Sequence, residues 1–126
     1  MAQPKNFDFG EEEENGGEGG RCQLVWENLS VSSPSAVPKA SLANGLIYIY
    51  TRDRSNPESL QAWYFTAVDY RTGEVVFKIL TGIGAGYNNH YGAITLADDG
   101  TAYIGVLQGV VAVRDGASGD SPTRSK

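Results

Sequence analysis

Residues 81–92 read TGIGAGYNNHYG and gather three alternating glycines, two asparagines and the chain's single histidine. Glycine runs cradle phosphate when a helix follows whose N-terminal amides face the anion. Here the strand-forming run AITLADDGTAYIG follows, with no Gly-Lys-Ser/Thr and no Gly-x-Gly-x-x-Gly, so nucleotide binding is not expected. Histidine is the residue type suited to a general base at neutral pH, but no nucleophile stands beside His90 in sequence. Cys22, the lone cysteine, lies far up the chain and is expected as a small buried hydrophobe in an outer strand. A metal site would combine His90 with Asp98 and Asp99. Those acids read first as hairpin residues before Gly100, and they lack the alternating oxygen ligands of a calcium loop. The stretch is therefore expected to connect two β modules, with no catalytic, cofactor-binding or metal-ligating residue assigned.

Other residue groups read the same way. Tyr48, Tyr50, Trp63, Tyr64, Phe65 and Tyr70 have the composition of a stacking platform for sugars or bases. In neighbouring half-buried strands they are expected to pack across strands and between sheets instead. Arg52, Asp53 and Arg54 are expected as a solvated charge cluster in a loop. Asn28-Leu29-Ser30 fits a glycosylation sequon, which is expected to go unused because the first residues, MAQPKNFDFG, lack the basic and apolar regions of a secretory signal.

Charge is unevenly placed. Residues 1–20 hold six acids against Lys5, which leaves nine acids and nine bases elsewhere, so the whole net charge of −5 sits in the tail. A neutral body behind an acidic tail offers nucleic acid or an anionic membrane no electrostatic attraction. One cysteine permits no internal disulfide, and no apolar run approaches the ~20 residues that span a bilayer. At 126 residues the chain fits one small domain. Residues 1–20, with GEEEENGGEGG, are expected to be a disordered tail, residues 21–116 the folded body, and 117–126 a second disordered tail.

The body is rich in valine, isoleucine and tyrosine, with glycine at short intervals and no sustained helical spacing of apolar residues, which predicts an all-β fold. Strands are expected over residues 22–29, 37–42, 46–51, 62–70, 74–80, 91–97, 101–107 and 110–115. Asn44-Gly45 predicts a two-residue hairpin, and Arg71-Thr72-Gly73 and Asp98-Asp99-Gly100 predict tight turns. These strands repeat: SLANGLIYIYT resembles TLADDGTAYIG, TAVDY resembles VAVRD, and LVWEN resembles VVFKI. A period of roughly 50 residues carrying four short strands is the footprint of a β-propeller blade. The predicted order is one outer strand, one whole four-stranded blade, then three strands of a blade lacking its outer strand. It looks like the C-terminal end of a longer propeller.

Within this pattern, TAVDYRTGEVVF resembles the repeat of quinoprotein-type β-propellers, roughly Ala-x-Asp-x-x-Thr-Gly-x-x-x-Trp. Ala67, Asp69, Thr72 and Gly73 match, and Phe77 stands where tryptophan is usual. The wider run over about residues 22–115 is similar to uncharacterised bacterial propeller proteins of this type. The resemblance implies a partial propeller of antiparallel meander blades in which Asp69 accepts turn amides and the aromatic packs between blades. It places Tyr87, Asn88, Asn89 and His90 in a loop at the mouth of the channel, where a ligand would bind. Such repeats occur in scaffolds and sensors without cofactor and in dehydrogenases that use pyrroloquinoline quinone with calcium. None of the dehydrogenases' cofactor contacts matches a residue here. The primary expectation is thus a non-catalytic segment with a scaffold, protein-interaction or ligand-binding role, completed by missing blades or by self-association. The alternative is a terminal piece of a quinone-dependent dehydrogenase. The host compartment is left open.

Overall fold

The structure, a computed structural model, describes residues 6–7, 21–53 and 61–116. It is all-β, and the described residues form nine strands and one short 3-10 turn: β1 (Asn6–Phe7), β2 (Cys22–Gln23), β3 (Lys39–Ser41), β4 (Leu46–Arg52), β5 (Ala62–Asp69), β6 (Val75–Ile83), β7 (Ile94–Leu96), β8 (Ala102–Val106) and β9 (Gly109–Val113). β3-β4-β5-β6 form one antiparallel meander and β7-β8-β9 a second, and β1 pairs with β2 alone. Neither main sheet closes on itself.

The alternation in β4 and β5 decides where the core lies. Tyr48, Tyr50 and Arg52 pair with Ala67, Phe65 and Trp63, so these six side chains share one face of the first sheet. Tyr48 stacks on Phe65 at 5.5 Å between ring centres and Tyr50 stacks on Trp63 at 5.6 Å. Ile94, Ala102 and Ile104 of the second sheet complete the same buried cluster. Two sheets thus share one core, which neither could assemble alone. The two meanders also touch at their entrances, where Val37 and Ala93 form an isolated parallel bridge. The opposite face of the first sheet is buried as well. There the hydroxyls of Thr51 and Thr66 meet at 2.7 Å, so two polar groups satisfy each other at 2% and 0% exposure.

Several expectations are corrected. Residues 24–29 are not in a strand, and only Cys22–Gln23 pairs, with Asn6–Phe7. Cys22 is exposed rather than buried, because that short ladder stands apart from both main sheets. Asn44-Gly45 is not a two-residue hairpin. Ser41 pairs with Leu46, leaving a four-residue loop in which Gly45 alone takes positive φ, +71°. The Asn44 side chain acts locally instead, accepting from Leu46 N at 3.2 Å and donating to Tyr48 Oη at 2.7 Å. The two-residue hairpin is at Leu107-Gln108, between Val106 and Gly109. β6 runs on to Ile83, so the first residues of the glycine-rich stretch are strand. Arg52 belongs to β4 and lies over the Trp63 ring at 5.6 Å, whereas Asp53 meets Lys78 at 4.0 Å. Arg54 lies outside the described residues, as do residues 117–126 and all of 1–20 except Asn6–Phe7.

Candidate functional site

Two places gather the residues singled out by sequence, the loop between the sheets and the turn between β5 and β6. The loop begins where β6 ends. Gly82 is buried with the Tyr87 ring against it, close enough that any Cβ at Gly82 would enter that ring. Gly84 then turns with φ +113°, and Ala85–Tyr87 make one 3-10 turn. Glycine is needed here for close approach and reversal, not to cradle an anion.

The asparagines are structural. Asn88 Oδ1 accepts from Ser35 Oγ at 3.1 Å and from His90 N at 2.9 Å, and its backbone carbonyl accepts from Leu107 N at 2.9 Å. Asn89 is 3% exposed and donates through Nδ2 to Gly105 O at 2.8 Å. Its Oδ1 is buried and has no hydrogen-bond partner among the described residues. Tyr50 Oη donates to Tyr87 O at 2.9 Å and also meets Thr81 Oγ1 at 2.7 Å. Burial pushes the Tyr50 phenol up to about 12, with Thr81 pulling the other way and Tyr87 adding to the rise. The loop is therefore bolted to both sheets.

His90 and Tyr91 follow with φ of +45° and +66°, the left-handed region for residues other than glycine. Tyr91 N donates to Ser35 O at 2.7 Å, and Gly92 N to Asn89 O at 3.0 Å, which hold that conformation. The His90 ring is exposed and lies 5.6 Å from the Tyr91 ring. Beside the loop is an open depression of about 120 Å³ lined by Tyr87, Val106, Gln108 and Val111. Small-molecule pockets usually enclose several hundred cubic ångströms, so this is a foothold for a side chain rather than a reaction chamber. Among the described residues no three of His, Cys, Asp and Glu stand close enough to hold a metal ion. The loop brings Tyr87, Asn88, Asn89 and His90 together, with His90 at its surface.

The second place is the β5–β6 turn. Asp69 Oδ1 accepts from Arg71 N at 2.7 Å, Gly73 N donates to Asp69 O at 2.8 Å, and Thr72 Oγ1 accepts from Glu74 N at 3.2 Å. Gly73 has φ +73°, and Ala67 is fully buried. Phe77 packs within its own sheet face, tilted against Phe65 at 5.7 Å and Tyr48 at 6.2 Å. The aromatic that covers this turn comes from elsewhere. Trp26 lies directly on Gly73, and its Nε1 donates to Tyr70 O at 2.7 Å. Asn28 Nδ2 adds a 2.6 Å bond to Gly73 O, so the sequon nitrogen is already engaged. Sequence reasoning missed Trp26. The signal was present, because the alignment of LVWEN with VVFKI puts Trp26 on the position of Phe77, where the repeat usually carries tryptophan.

No family model matches the chain, and no curated protein or solved structure is significantly similar to it. Among the described residues no helix is long and apolar enough to cross a membrane.

Proposed function

We propose that the chain is a segment of a β-propeller of the quinoprotein-like repeat type, comprising one four-stranded blade and most of the next, and that it serves as a non-catalytic scaffold or interaction module. The observation that carries this reading is the contact between the entrances of the two meanders. Val37 and Ala93 each lie just ahead of the first strand of their sheet and pair in parallel. Blades arranged around an axis bring their innermost strands side by side in the same direction and pack one face on the next blade. Trp26 supports the same arrangement, since it lies on the turn of the module that follows its own repeat position.

The loop of Tyr87, Asn88, Asn89 and His90 then faces the mouth of the ring, and its exposed His90 is the group available to a bound protein or small molecule. Its asparagines are committed to holding the loop, which favours recognition over turnover. Nothing in the geometry favours the dehydrogenase alternative. The test is to incubate the purified chain with pyrroloquinoline quinone and calcium, then measure retained chromophore after dialysis and dye-linked alcohol oxidation. No retained quinone and no oxidation are expected. A stoichiometric chromophore with turnover would overturn the non-catalytic reading.

A further inference from the structure

Among the described residues nothing covers one face and one edge of the second sheet, and the repeat says what belongs on each. β9 pairs with β8 only, among the described residues. Tyr103 and Val110, on the face turned away from the core, are 42% and 70% exposed. In the first sheet the corresponding face is filled. Tyr48 and Ala67 align with Tyr103 and Ala112, and they lie on the face that packs against the second sheet. The contact made once inside the chain is therefore available to be made a second time.

The missing edge strand has a counterpart as well. Residues 24–28 align with the outer strand β6 at a spacing of 51 residues, yet they belong to no described strand. Trp26 and Asn28 fasten them to the first sheet's Tyr70 and Gly73, which is the position an outer strand of a preceding module would occupy. Val25 is 71% exposed there. Cys22 and Gln23 are already paired with Asn6–Phe7, so residues 24–28 are the stretch left to complete a ladder.

We propose that residues 24–28 of a second copy of this chain supply the fourth strand of the β7-β8-β9 sheet, so that copies join head to tail. This rests on the propeller reading above. One copy then carries the strands of two whole blades, counted as one outer strand, four, and three. A head-to-tail contact closes into a ring if its rotation permits and otherwise extends into a filament. Two to four copies would give four to eight blades, the usual span. The β5–β6 register, in which Lys78 faces Thr66, transfers to Glu27 of one copy facing Val111 of the next.

The experiment uses the full 126-residue chain with Cys22→Ser as background. Glu27→Cys and Val111→Cys are made in separate chains and mixed under mild oxidation, with light-scattering mass measured in parallel. The expected result is a mass of two to four times the 13.5 kDa chain and a disulfide-linked pair that appears only in the mixture. A defined oligomer without that cross-link overturns the strand assignment. Irregular aggregates, or a monomer whose β9 amides exchange rapidly, overturn self-completion while leaving the incomplete-propeller reading intact. A monomer that unfolds cooperatively with protected β9 amides overturns both.

Discussion

Gly73→Ala should be far more damaging than a turn glycine ordinarily is, and the reason lies in what covers it. At φ +73° an alanine adopts a conformation that costs an L-residue about 1–2 kcal/mol. Its Cβ would also lie inside the Trp26 ring. Displacing that ring sacrifices the Nε1 bond to Tyr70 O, about 1 kcal/mol, and part of the ring's burial, about another 1–2 kcal/mol. The expected total is about 3–5 kcal/mol. Gly100 is the control, because its φ of +81° is as strained but nothing lies within 4 Å of a Cβ there. Gly100→Ala should cost about 1–2 kcal/mol. Trp26→Ala removes the obstacle, so Gly73→Ala in that background should fall to the cost of the control. The coupling between the two sites is then about 2–3 kcal/mol, within the range for residues in contact. Urea unfolding followed by the fluorescence of buried Trp63, at one fixed protein concentration, measures the parent chain and these four variants. Equal costs for Gly73→Ala and Gly100→Ala, with no coupling to Trp26→Ala, would refute the docking of Trp26 as a stabilising contact.

Tyr50 has its phenol held protonated up to about 12 in the fold, against an unfolded value near 10. Its contribution to stability is complete below pH 10 and is lost as pH rises from 10 through 12. Urea midpoints across that range should fall, and Tyr50→Phe should flatten the decline; an unchanged slope in that variant would count against the assignment. Asn89→Ala removes the buried bond to Gly105 O and should cost about 1–3 kcal/mol, whereas His90→Ala should stay within about 0.5 kcal/mol. Thermal unfolding of the pair checks this, and a destabilising His90→Ala would mean that the ring holds the loop after all.

The parts of the fold legible in sequence were those fixed by local chemistry. β4 and β5 announce themselves through alternating aromatics and small residues, because one register puts all of Tyr48, Tyr50, Phe65 and Ala67 on one face. Gly73 and Gly100 mark real reversals, since only glycine takes their positive φ without strain. What was not legible depends on distant partners. Residues 24–28 have strand composition, but a strand requires a neighbour's backbone, and none of the described strands offers one. Asn44 looks like a hairpin corner by type, yet its side chain bonds within a four-residue loop and the backbone has no need of left-handed φ there. The exposure of Cys22 followed from the same missing neighbour. In the loop, the glycines and asparagines were identified as connectors from the strand that follows them. That Asn89 is buried and His90 exposed depends on where Gly105 falls in the second sheet, which no local pattern encodes.

The central claim is that the two meanders are successive modules set side by side with their entrances running in the same direction. Val37→Cys with Ala93→Cys, in a chain carrying Cys22→Ser, tests it most directly, because paired neighbours across a bridge lie within disulfide reach. The account predicts quantitative intrachain cross-linking under mild oxidation, read by thiol titration and intact mass. Free thiols, or linkage between chains alone, would contradict it.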